Sequence, residues 1–337
     1  MATLKDIAEI TGTDKASVSR VLQGRAREYY ISREREKRIK EAARKLGYRP
    51  NAAARAIRTG RFQSVSLLIG PEKRNWLPEP LLEGILHGLQ EASMTLNINL
   101  WPKDKPGEAS LPRPLEEEMS DGILVALKSE ESVEVRDRIR QMDTPVIWLT
   151  HELSANCIRE NWIGGGRRAA EYLLDLGHRR IAYVGRSWPG GVHPDDPTKG
   201  DKRYDGYAEA MEEAGLEPQK LTWQTVAERR SNIRESLSGE ERITAIICHY
   251  HELTEEVFLA ALKLGLRVPQ DLSVLEFHTI GLEDYHPMIT AVTVNEYAKG
   301  LKAVELLQKR IENPGQDLEP HVMHMELTQR NTCARLE

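Results

Sequence analysis

The spacing of apolar positions changes character along the chain, and each change marks a part of it. Up to about residue 48, apolar side chains recur every three to four positions in short runs, the period of helices with one buried face. Leu4, Ile7 and Ala8 make the inward stripe of a first helix that Thr3 can cap. Val18, Val21 and Leu22 make that of a second, capped by Asp14. Ile39, Ala42, Ala43 and Leu46 make that of a third, capped by Ser32 with Glu34 behind it and closed by Gly47. Ala8, Gly12 and Val18 stand at helix-turn-helix spacing: a small residue admits a close approach, glycine turns the corner, and an aliphatic residue locks the second helix. Lys15, Ala16, Ser19 and Arg20 are then expected to face outward, near the helix end that enters the major groove in this motif. The Arg-rich loop that follows carries Tyr29 and Tyr30, expected to pack under the third helix rather than stack on sugar and phosphate.

A different pattern follows Tyr48-Arg49-Pro50. Asn51 can cap a run over 52–58, mostly alanine and arginine, which ends at Thr59-Gly60. So short a helix does not recover its nucleation cost and orders only against a partner. Arg55, Arg58 and Arg61 point to DNA as that partner, and Ile57 is the apolar residue suited to wedge between base steps from the minor groove. A flexible linker is the alternative.

Beyond Phe62, strands and helices alternate. Strands are expected at 65–69, 98–101, 122–125 and 145–149, and in a second series from near Cys157 at 180–184, 244–248, 272–277 and 291–294. Leu81, Leu82, Ile85, Leu86 and Leu89 mark a helix, and further helices are expected over 167–176, 204–214, 253–264 and 296–312. Two successive βα runs imply an α/β body of two doubly wound parallel sheets, with ligands bound beyond the carboxyl ends of the strands. No internal repeat stands out.

Charge sharpens this division. Residues 1–61 hold 16 Lys plus Arg against 7 Asp plus Glu, a net of +9; the rest hold 31 against 45, a net of −14. A basic tip on an acidic body implies a polyanion bound at one end only. No apolar run approaches a membrane span, and the N-terminus has no signal pattern, so a cytoplasmic, nucleoid-associated protein is expected. Cys157, Cys248 and Cys333 are too few and scattered for a disulfide framework. His249, His251 and His278 lack a Cys or Asp partner at ligand spacing, so no metal is expected. Gly164-Gly165-Gly166 opens a helix without a phosphate-loop pattern, and no nucleophile–base arrangement is legible. An enzyme is therefore not expected, nor any cofactor. A solute receptor without DNA binding is opposed by the missing signal and the +9 tip.

The phrases Thr3-Leu4-Lys5-Asp6-Ile7-Ala8, Val18-Ser19-Arg20-Val21-Leu22 and Leu46-Gly47-Tyr48-Arg49-Pro50-Asn51 resemble those of the lac repressor (LacI/GalR) family of bacterial transcription regulators. Weaker echoes run through Leu176-Gly177-His178-Arg179-Arg180, Arg203 with Gly206-Tyr207, and Leu266-Arg267-Val268-Pro269. The resemblance implies a helix-turn-helix headpiece over 1–49, a hinge helix over 50–61, and a two-lobed, periplasmic-binding-protein-like effector and dimerisation domain over 62–337. Its first lobe is expected at about 62–156 and 291–316, its second at about 157–290 and 317–337.

It further implies a homodimeric repressor on a pseudo-palindromic operator, whose effector either closes the lobes and melts or misaligns the hinge helices or acts as a corepressor. By the same resemblance Lys15, Ala16 and Arg20 match base-reading positions, Ser17 and Ser19 phosphate- or groove-contacting ones, and Asn51 a backbone contact. Ala54, Arg55, Ile57 and Arg58 fall in the hinge, with Ile57 where the family places a minor-groove leucine.

In the effector cleft Arg203 matches an arginine that grips a ligand hydroxyl or carboxylate, but Thr150, Tyr250 and His278 replace Asp or Asn, and His251 a further acid. Losing acceptors around a retained arginine points to an anionic effector, a sugar acid or phosphorylated sugar, or to a cleft without small-molecule control. Trp76, Trp162 and Trp188 are expected on loops, where one can cover a ligand or pack between lobes.

Overall fold

The structure, a computed structural model, describes residues 2–49, 56, 59–70, 77–101, 112–117, 119–127, 138–139, 141–149, 153–185, 201–278 and 288–336. It divides into two units, Met1–Phe62 and Gln63–Glu337.

The first unit holds α1 (Leu4–Thr11), α2 (Lys15–Leu22) and α3 (Arg33–Lys45) around Ile7, Val18, Val21, Ala26, Ile39, Ala42 and Ala43. The caps expected at Thr3, Asp14 and Ser32 form. Thr3 and Asp6 exchange backbone and side-chain bonds at the start of α1, and the Asp14 carboxylate accepts the Ser17 N–H at 2.8 Å. The Ser32 hydroxyl accepts the Arg35 N–H at 3.3 Å. Gly12, in the left-handed region at φ 57°, donates to the Ala8 and Glu9 carbonyls and so turns the chain into α2. The tyrosines do not pack under α3. Ala26 and Ile31 fill that space, which leaves Tyr30 97% exposed and Tyr29 39% exposed. Of the expected hinge helix, Ala56 and Thr59 are helical, and the Gly60 N–H donates to the Ala56 carbonyl at 2.7 Å. Asn51, Ala54, Arg55, Ile57 and Arg58 lie outside the described residues.

The second unit runs β1 (Ser64–Ile69), α4 (Glu79–Glu91), β2 (Thr95–Leu100), α5 (Arg113–Glu116), β3 (Gly122–Ala126), β4 (Val146–Leu149) and β5 (Cys157–Glu160). Then come α6 (Trp162–Asp175), β6 (Ile181–Val184), α7 (Lys202–Glu213), β7 (Gln219–Leu221), α8 (Val226–Ser236), β8 (Ala245–Cys248), α9 (His251–Leu264), β9 (Ser273–His278) and β10 (Thr290–Thr293). The chain closes with α10 (Glu296–Glu312), β11 (His321–Met323) and β12 (Glu326–Thr328). One sheet has the order β11-β5-β4-β3-β1-β2 and is parallel throughout. The other has the order β12-β10-β9-β8-β6-β7, with β12 antiparallel to β10 and the remaining pairs parallel. Their central strands are apolar and buried, as helices on both faces require. The two lobes thus repeat one strand order and differ in the direction of the last strand, a repeat carried by element order rather than by residues.

The lobe crossings differ from expectation. β5 pairs into the first sheet and β10 into the second, so the chain crosses at Asn161, at Val294-Asn295 and at His324-Met325. The expected boundaries at 157 and 291 fell instead on the strands that precede the first two crossings, and that at 317 ahead of β11, which belongs to the first lobe. α6 begins five residues before the expected helix, because Asn161 caps it through the Gly164 N–H at 2.9 Å. Trp162 is therefore its first residue and not on a loop.

The glycines inside α6 serve contact. A Cβ on Gly166 would overlap the Arg203 carbonyl, and one on Gly206 the Ile163 carbonyl, so α6 and α7 cross backbone to backbone. Gly84 of α4 and Gly300 of α10 meet the Tyr297 and Leu81 carbonyls in the same way in the first lobe.

Candidate DNA-reading face and ligand site

On α2, Lys15 and Ala16 are exposed at the helix start. Ser17 turns its hydroxyl to the Asp14 carboxylate at 2.5 Å, which holds that carboxyl below the usual range. Ser19 does not face outward: it is buried, and Gln23 folds back to donate to its hydroxyl at 3.1 Å. Arg20 lies with its guanidinium carbon 3.9 Å from the centre of the Tyr29 ring.

The α6–α7 crossing brings two helix starts together in the second lobe. Arg203, in the first turn of α7, stacks 3.7 Å over the Trp162 ring and stands 5.3 Å from Phe277 of β9. Its Nη1 donates to His249 Nε2 and, at 3.3 Å, to the His249 carbonyl. His249 Nδ1 in turn donates to Asp201 at 3.1 Å, and the Tyr183 hydroxyl donates to the same carboxylate oxygen at 2.9 Å. The neutral tautomer protonated on Nδ1 satisfies every one of these bonds. Burial alone would raise the Asp201 carboxyl, but the His249 and Tyr183 hydrogen bonds and the nearby Lys220 charge hold it below the usual carboxylate range. Asp201 also caps α7 through the Tyr204 N–H at 3.4 Å. One of its oxygens thus accepts from two side chains, and the other serves the helix cap.

This cluster sits at the carboxyl ends of β6 and β8, where the strand order reverses and such folds bind ligands. Tyr250 packs edge-on against His249, with ring centres 5.5 Å apart. His278 ends β9 with Nδ1 3.4 Å from Glu276, a residue only 1% exposed. His251 opens α9, 3.4 Å from Glu252. The three histidines thus have three different acidic neighbours, and among the described residues no group of His, Cys, Asp or Glu is arranged to hold a metal. Thr150, Trp76 and Trp188 lie outside the described residues. Sequence reasoning reached Arg203, Tyr250 and His278 but missed Asp201 and Tyr183. The signal available for Asp201 was an Asp just before a helical run, where a cap belongs.

At the other end of the crossing from β5, Lys299 is sealed between Glu160 and Glu296. It is 1% exposed, bonded to Glu160, and 3.5 Å from Glu296 Oε2, which has no hydrogen-bond partner.

A basic helix-turn-helix on a two-lobed body with a polar ligand site defines a ligand-responsive DNA-binding regulator. Comparison with known proteins agrees. The family model for bacterial regulatory proteins of the lacI family matches residues 3–51, and that for a periplasmic binding protein-like domain matches 170–333. The HTH-type transcriptional repressor PurR of Vibrio vulnificus is 25% identical over the whole of both chains, and so is the ribose operon repressor of Haemophilus influenzae. Among solved structures, the lac repressor dimer bound to operator and an anti-inducer aligns over 99% of each chain, at 16% identity and TM-score 0.74. A complex of the transcriptional regulator CelR with cellobiose aligns at 22% identity and TM-score 0.61, covering 98% of this chain and 100% of that one. The chain thus carries a lacI-family helix-turn-helix domain and a periplasmic binding protein-like domain, and it is similar over its whole length to transcriptional repressors of that kind.

Proposed function

We propose that the chain is a repressor that binds a pseudo-palindromic operator as a homodimer in the cytoplasm, one headpiece per half-site, and that a small anionic ligand controls it. The capped recognition helix carries the DNA half of this reading. Lys15, Ala16 and Arg20 supply base contacts, arginine to guanine acceptors and alanine to a thymine methyl. Ser17 and Ser19, committed to Asp14 and Gln23, shape the helix instead of reaching from it. Asn51 adds a backbone contact, and Ala54, Arg55, Ile57 and Arg58 enter the minor groove, with Ile57 as the wedge.

The ligand half rests on Arg203. Its cation stands between two aromatic rings, and the Asp201 carboxylate beside it accepts from His249 and Tyr183. Tyr250 and His278 add donors near it. A site rich in donors favours a sugar acid or phosphorylated sugar over a neutral sugar, which needs acceptors. Calorimetry of the full chain against sugar phosphates, sugar acids and their neutral parents tests this. Heat is expected with an anionic member and is expected to vanish in Arg203→Ala. Tight binding of a neutral sugar, lost in that variant, would overturn the anionic reading. Separately, a mobility-shift assay that finds no duplex preferred over random competitor would overturn the repressor reading.

A further inference from the structure

We propose that Tyr29 is a positioning residue for DNA reading, one that holds the Arg20 side chain in the pose from which it meets a base; this rests on the reading of Arg20 as a base contact. With 3.9 Å between the guanidinium carbon and the ring centre, the contact is face to face. An edge-on approach would put N–H hydrogens between the two and force the carbon farther out. Held by its face, the guanidinium keeps its in-plane N–H edge available, the edge that matches two acceptors on guanine. Stacking and base reading therefore use different parts of one group and can hold at once.

The loop that carries the ring is itself held in place. The loop leaves α2 with the Arg25 N–H bonded to the Arg20 carbonyl at 2.9 Å and the Gly24 N–H to that of Val21 at 3.1 Å. Ala26 is buried in the headpiece core and accepts the Ile31 N–H at 2.9 Å, while Tyr30 donates to the Arg27 carbonyl at 3.2 Å. Arg25 stands 5.2 Å from the same ring, but its charge is met by Glu28 at 2.7 Å. Among the described residues no carboxylate pairs with Arg20, so the ring is its partner. An arginine pinned in this way has less rotamer freedom to lose when it docks.

The test measures the full chain by fluorescence anisotropy, at one fixed salt concentration, on its selected operator and on operators changed singly at each half-site position. Arg20→Ala is expected to flatten the preference at one base pair. Tyr29→Leu is expected to lower that same preference by about two- to fivefold, the range of an exposed cation–π contact, with binding to random duplex unchanged. Tyr29→Phe, which keeps the ring, is expected to restore it. Combined with Arg20→Ala, Tyr29→Leu is expected to add nothing, because a residue acting through Arg20 has no effect without it. Unchanged preference in Tyr29→Leu beside a flattened one in Arg20→Ala would overturn the proposal. A further loss in the double variant would do so too, since Tyr29 would then touch DNA itself. Preference intact in Arg20→Ala would sink the reading of Arg20, and the role of Tyr29 with it.

Discussion

Lys299 can neutralise one buried carboxylate, and it faces two. Glu160 takes the close contact, which leaves Glu296 as the group whose charge is expensive to keep. Burial, with the Glu160 charge adding and Lys299 opposing, pushes the Glu296 carboxyl up to about 7. A folded-state value above the ordinary 4.5 favours the fold when the proton is on. That contribution is complete below about pH 4.5 and is lost as pH rises through about 7. Glu296→Gln, which mimics the protonated acid, should remove this slope. Urea unfolding at pH 5, 6, 7 and 8 should show the parent chain losing between about 1 and 3 kcal/mol more than the variant across that range. Equal slopes would mean that Glu296 is charged throughout. His178 works the other way: burial lowers its imidazole, so its contribution falls on acidification below about 6.5. Both chains carry it, and it cancels in the comparison. None of this was legible in the sequence, because 139 positions separate Lys299 from Glu160.

At the scale of elements, the glycine crossings decide where the site residues stand. Gly206→Ala would put a methyl on the Ile163 carbonyl and must push α7 off α6. The shift should cost ~1–3 kcal/mol of stability, as overpacking does, and should carry Arg203 away from Trp162. Thermal melts and the Arg203-dependent ligand heat are expected to fall together; a melt unchanged within error would show that the helices have slack. The amphipathic stripes of α1, α2, α3 and α4 were readable, as were the caps of the first three, because those helices bury one continuous face. α8 was not, since Ile233 is its one fully buried apolar residue. β7, β11 and β12 have three residues each, too few for an alternating pattern to show. Arg203 and His278 could be named from resemblance, but the Asp201–His249–Arg203 relay needed the crossing, which brings α7 to the end of β8. Trp162 was misplaced for the same reason: three glycines in a row read as the mouth of a helix, not as its inner contact surface.

For the whole molecule, the opposite charges of the headpiece and the body make an electrolyte prediction. Two headpieces with their hinges, each carrying +9, should displace many condensed counterions from a duplex. Operator affinity is expected to fall by about 10³-fold or more between 50 and 200 mM salt, the behaviour of a protein making six or more phosphate contacts. Anisotropy titrations across that range measure it, and a nearly flat response would mean that the basic residues of 1–61 do not meet the backbone.

Two crossings between lobes have the same grammar. A strand of one lobe ends, an asparagine follows, and that asparagine's side chain fastens the first turn of a helix in the other lobe: Asn161 for α6, Asn295 for α10. Such a residue is at once the tail of one body and the collar of the next. Torsion there would swing a helix without unfastening it, so each lobe would travel as a solid with its strand registers intact. Any opening or shutting of the lobes would then be written in a few backbone angles at Asn161, Val294, Asn295, His324 and Met325, and a stiffer residue at either asparagine would act as a brake on a pivot.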